Sequence, residues 1–144
     1  MRILWVLLGI AGGMAIGMQA AINAALGRTI GVLETAFVSF LVGAVCLGGM
    51  VVFAGNGRLG AVVTVPWWQL VGGVLGGFYV FTMVMNVPRM GVAPTLTTIV
   101  LGQMLMGLVL DHFGGFGVAQ SPLTLSRAVA VVLMIAALAL FFRR

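Results

Sequence analysis

Five apolar stretches, each about long enough for one bilayer crossing, alternate along the chain with short connectors rich in glycine and proline. An α-helix rises 1.5 Å per residue, so ~20 apolar residues cover ~30 Å of hydrocarbon. The pattern predicts helices over residues 3–26, 33–53, 67–87, 92–112 and 123–142. GRTIG, AGNGRLGAVVTVP, PRMG and FGGFGVAQSP connect them in that order. Pro66 and Pro122 suit first-turn positions of the helices they precede, and Ser121 suits the cap of the fifth.

Polar and small residues then divide the faces of these helices. In the first span, Gly9, Gly13, Gly17, Ala20 and Ala24 fall on one side at ~100° per residue. That side has almost no side chain, so another helix can press its backbone against it. The stripe beside it carries Gly12, Gln19 and Asn23. Two amides in an apolar span are costly unless they meet a partner or a ligand. A packing face therefore adjoins a polar lining.

The second span opens with Glu34 and Thr35 and continues through Ser39, Gly43 and Cys46. Glu34 in a first turn is favoured by the helix dipole, which makes it a capping charge; the alternative is a carboxylate that couples transport to a proton or cation. In the third span Trp67 and Trp68 belong to the interfacial belt. Gly72, Gly76, Tyr79, Met83 and Asn86 then follow one stripe, with Gly73 and Gly77 beside it. The fourth span carries Thr95, Thr98, Gly102 and Met106 on one stripe and Gln103, Gly107 and Asp111 on the next. Threonines in helices bond back to the preceding turn, so Thr95, Thr97 and Thr98 can be self-satisfied, whereas the amide of Gln103 near mid-span cannot. Asp111 and His112 close that span, where Asp111 is either paired at the interface or a second coupling carboxylate. After Arg127 the fifth span has no polar residue, so it faces lipid or another copy rather than a pathway.

Composition narrows the class. The 144 residues are 62% hydrophobic and 6% charged, where a soluble domain carries about a quarter charged residues. The chain is an all-α integral membrane protein whose spans form a single five-helix domain over 1–144, with no room for a soluble catalytic or nucleic-acid-binding domain. The N-terminal apolar run is long and contains Gln19 and Asn23, which fits a retained helix better than a signal peptide. Cys46 is the only cysteine and can form no internal disulfide. His112 has no spaced ligands around it, and no nucleophile–base pair is visible, so neither a metal, a cofactor nor an enzyme is expected.

The net charge of +5 comes from seven arginines against Glu34 and Asp111. With five spans, Arg2, Arg58 and Arg127 fall on one side, and Arg28, Arg89, Arg143 and Arg144 on the other. The positive-inside rule needs a bias, and this chain has almost none. Balanced charge permits insertion both ways round, and two opposed copies make an inverted dimer. A separately encoded partner of opposite orientation is the alternative. Many transporters are inverted repeats with the substrate between the halves at mid-membrane.

GMQAAINAALG, ETAFVSFLVGAVCL, PWWQLVGGVLGGFYV and VPRMGVAPTLTTIVLGQMLMGLVLDHFG, in that order and spacing, cover most of the chain. Together they resemble the YdcZ-like family of small five-helix proteins in the drug/metabolite transporter superfamily. The resemblance implies a bacterial inner-membrane transporter, found as dual-topology chains, opposed pairs or fused repeats. It also implies kinship with ten-helix carriers built from two inverted five-helix halves, and with the four-helix small multidrug exporters. Those exporters place an essential glutamate mid-way along the first span, where this chain has Gln19 and Asn23.

These readings converge on a multi-pass transporter of a small solute, working by alternating access as an antiparallel ten-helix homodimer in the bilayer. Gln19, Asn23, Ser39, Tyr79 and Gln103 are the expected lining; amides and hydroxyls both donate and accept, which suits a neutral or zwitterionic polar solute. Glu34 and Asp111 are the candidates for coupling, and Gly9, Gly13, Gly17, Gly72 and Gly76 for helix packing. A dual-topology ion channel and a non-transporting membrane scaffold are the competing readings.

Overall fold

Nothing in the apolar run from Ile3 to Ile30 interrupts a helix, and α1 accordingly occupies Arg2–Ile30 without a break. The computed structural model describes residues 2–143, without the side chain of Arg2; that side chain and Arg144, both counted in the charge balance, lie outside the described residues. Four further helices follow: α2 (Val32–Ala54), α3 (Val71–Met90), α4 (Val92–Phe113) and α5 (Leu125–Phe142). Short 3₁₀ turns cover Leu59–Thr64, Trp67–Leu70 and Gly115–Gly117. The described residues contain no strand. All five helices, counting Trp67–Met90 as one span, are long and apolar enough to cross a membrane.

The helix ends differ from the expected ones, each for a local reason. α1 runs past Leu26 because GRTI can stay helical, and Gly31 alone turns the chain at φ 100°. PRMG is likewise not a connector: Pro88 and Arg89 lie in the last turn of α3, and Gly91 makes the turn at φ 88°. Such positive φ values are open to glycine and strained for other residues. Arg89 also donates from Nη1 to the Met85 carbonyl, satisfying one of the acceptors left over at that helix end. Pro66 caps a 3₁₀ turn, so α3 proper begins at Val71 rather than Trp67.

Ser121 does not cap the fifth helix, and Pro122 is not in its first turn. Thr124 is the cap, its Oγ1 accepting from the Arg127 amide at 3.4 Å. Ser121 is engaged elsewhere: its amide donates to the Asp111 carbonyl at 2.7 Å and its carbonyl accepts from Arg127 Nη1 at 3.2 Å.

Gly-Val-x-x-Thr opens both α2 and α4. Thr35 Oγ1 returns a bond to Gly31 O at 2.8 Å, and Thr95 Oγ1 to Gly91 O at 2.7 Å. Both threonines are fully buried. Each hydroxyl occupies a carbonyl at the very start of its helix, so neither brings an unsatisfied polar group into the interior.

The described chain forms two compact units divided after Arg89. In the first, the buried residues gather late in α1 (Ala20, Asn23 and Ala24), early in α2 (Thr35 and Ala36), and from the middle of α3 onward (Val80, Met83, Val84 and Val87). Hydrocarbon solvates leucine as well as a protein core does, so close packing of small residues holds helices together here. Gly27 marks that contact. A Cβ on it would stand 2.6 Å from Val84 Cγ1 and 3.6 Å from Thr35 Oγ1. In the second unit α4 ends at Gly114 in the left-handed region (φ 64°), and the following segment is tied back to it. Gln120 Nε2 donates to the His112 carbonyl at 2.9 Å, and Arg127 Nη1 lies 3.4 Å from Asp111 Oδ2. α5 buries none of its residues in this unit.

Candidate functional site

Gln19 and Asn23 are one turn apart on α1 and share a face. α2 brings Ser39, Phe40 and Gly43 to that face, and α3 brings Tyr79. Between them lies an open cleft of about 420 Å³ lined by Gln19, Ser39, Phe40, Gly43 and Tyr79 together with aliphatic neighbours. Gly43 leaves space, with nothing within 4 Å of where its Cβ would stand. Gly76 is a packing glycine: a Cβ on it would stand 3.0 Å from Phe40 Cζ, so its absence seats the phenyl ring against α3.

Asn23 does not line the cleft. It is only 5% exposed and sits behind the wall, donating from Nδ2 to Ser39 Oγ at 3.1 Å. Gln19 makes no side-chain hydrogen bond to any described residue, and its amide is exposed. The structure therefore joins four of the five expected lining residues, three at the surface of the cleft and one behind it. Gln103 belongs to the second unit, where it is exposed on α4 without a side-chain hydrogen bond.

Glu34 is exposed in the first turn of α2, its carboxylate lying over Gly31 so that a Cβ there would collide with it. Thr97 and Thr98 bond back to Ala93 and Pro94 carbonyls at 2.9 Å each, as self-satisfied helical threonines do. Gly9, Gly13 and Gly72 meet nothing within 4 Å of a built Cβ, so no described residue makes the close contact expected of them. Gly17 is half-buried. Phe40 and Gly27 are the residues that sequence reasoning passed over. Gly27 had a signal: it continues the small-residue stripe of Ala20 and Ala24 at the same three-to-four-residue step.

Asp111 is paired rather than free, and both it and Arg127 are about one-third exposed. A half-solvated ion pair contributes little, so Asp111→Asn should lower stability by less than about 1 kcal/mol and leave transport and its pH dependence unchanged. Loss of pH dependence in that variant, measured by liposome flux, would instead mark Asp111 as a coupling residue.

Residues 4–140 match the family model described as "Putative inner membrane exporter, YdcZ". The chain belongs to the YdcZ family. It is 32% identical over 133 residues to the inner membrane protein YdcZ of Escherichia coli strain K12, covering 89% of this chain and 88% of that protein. No solved structure matches it. A YdcZ-family chain with five helices long and apolar enough to span is an inner-membrane protein of transporter type, in a family whose description is that of an exporter. The cleft of α1, α2 and α3 lies wholly within the matched region.

Proposed function

We propose that this protein carries a small neutral or zwitterionic polar solute across the inner membrane by alternating access, as an antiparallel homodimer of dual-topology chains. The gathering of Gln19, Ser39 and Tyr79 in one cleft, with Asn23 behind Ser39, is the observation that carries the reading. An unpartnered amide facing lipid is expensive, whereas one facing a solute or a second copy is not. In an inverted dimer the two Gln19 side chains approach the two-fold axis at similar depth, so one pocket sees both. The nearly even division of arginines, three against four, supports insertion both ways round. A homologous chain of opposite orientation serves equally as the partner. Gln103 remains a candidate lining residue, and exposed Glu34 a candidate for proton or cation coupling.

Flux in liposomes tests the reading: a carrier is saturable and slow, a channel fast and voltage-driven, a scaffold silent. Topology is tested separately. In a Cys46→Ala background, single cysteines near either terminus should be labelled from both faces of the membrane. Two lysines added beside Arg2 should drive most copies to one orientation and reduce activity when the chain is expressed alone. Labelling from one face only, with full activity, rules out the inverted homodimer.

A further inference from the structure

The chemistry of the cleft wall restricts what it can hold more tightly than the presence of polar residues does. Among the described residues no charged side chain lines it, and Glu34 is not one of its lining residues. An ion desolvated there would find no counter-charge, a penalty that applies to each end of a zwitterion as well. The wall is mostly apolar, with the rings of Phe40 and Tyr79 as its large surfaces. Its ~420 Å³ lies within the range of small-molecule sites.

One polar group of the wall, the Ser39 hydroxyl, differs in its bonding from the threonines of α2, α3 and α4. Thr35, Thr82, Thr95, Thr97 and Thr98 each return their hydroxyl to a carbonyl three or four residues back. Ser39 makes no such return bond; instead its oxygen accepts from Asn23 Nδ2 at 3.1 Å. With a lone pair occupied, the Ser39 hydroxyl is left with its hydrogen to donate, and an O–H whose oxygen accepts a bond is the stronger donor. Asn23 is too deeply buried to touch a solute itself.

We propose that the cleft takes an uncharged molecule with an aromatic or aliphatic body and a hydrogen-bond acceptor, to which Ser39 donates while Asn23 holds the hydroxyl in place. The proposal rests on the cleft being the solute site, and it removes zwitterions from the solute class. Asn23 is a positioning residue. Phe40 and Tyr79 flank the body of the solute, as aromatic rings flank flat apolar ligands. Without Asn23, the Ser39 hydroxyl is free to bond back to its own helix, as the neighbouring threonines do.

The test uses the full chain in nanodiscs and four probes with one aromatic body: acetylnaphthalene, ethylnaphthalene, naphthylmethylammonium and naphthoate. Saturable binding is measured above that of empty nanodiscs. Acetylnaphthalene should bind about tenfold more tightly than ethylnaphthalene, the equivalent of one hydrogen bond. Ser39→Ala and Asn23→Ala should each bring acetylnaphthalene down to the ethylnaphthalene level, leave ethylnaphthalene unchanged, and show no further loss when combined. Ser39→Ala removes a single half-buried oxygen and carries the test if Asn23→Ala does not fold. A charged probe that binds best and is lost in Gln19→Leu overturns the proposal while leaving the cleft as the solute site. Equal weakening of all probes by both variants makes the pair structural and overturns it too. Absence of saturable binding by any probe also overturns it, and flux through wild type and Gln19→Leu then judges the cleft independently.

Discussion

Gly27→Leu should yield no monodisperse folded protein, and Gly27→Ala should fold with a clearly lowered melting temperature. A methyl group at position 27 lands 2.6 Å from Val84 Cγ1, inside van der Waals contact. Val84 is 1% exposed and its β-branched side chain has little rotameric freedom, so it cannot swing aside. Thr35, on the other side, is fixed by its bond to the Gly31 carbonyl. Overpacking of a tight contact costs about 1–3 kcal/mol, and leucine adds three further carbons to that clash. Gly13→Leu is the control, because nothing lies within 4 Å of a Cβ there. That variant should keep a folded chain and, in the inverted-dimer reading, lose the dimer in size-exclusion chromatography. Wild-type melting of Gly27→Leu would mean that α1 does not meet α3 at this point.

Gln19→Leu should have the opposite profile: folding kept, transport lost. Leucine has roughly the volume of glutamine, and Gln19 makes no side-chain hydrogen bond within the described chain, so the replacement breaks nothing there. It also removes the cost of an amide in an apolar span, and the melting temperature should hold or rise slightly. A solute bonded to the amide loses a partner worth ~1–3 kcal/mol, up to about a hundredfold in affinity. Liposome flux and ligand-induced thermal shifts should fall together. If instead the dimer weakens while the remaining folded protein still binds, Gln19 is an interhelical contact. If transport and binding are both normal, the cleft is not the solute site.

The five spans, their approximate limits and the polar stripes were legible in the order of residues. A bilayer core offers backbone groups no water, so an apolar run of ~20 residues has little choice but to satisfy them internally as a helix. A period of 3.6 residues then assigns Gln19 and Asn23 to one face without reference to anything else in the chain. Periodicity names a face but not what stands opposite it, and everything decided by contact required the tertiary structure. Gly76 and Gly72 lie on the same stripe, yet only Gly76 meets Phe40. Asn23 and Gln19 are alike in sequence, yet the approach of α2 turns one into a buried support for Ser39 and leaves the other open in the cleft. Asp111 acquires a partner only when the chain folds back far enough to bring up Arg127. The exact helix ends, by contrast, are set locally. GRTIG and PRMG read as connectors, but a helix stops where its backbone groups find other partners, and here a single glycine at each site, backed by a threonine hydroxyl, supplies the turn.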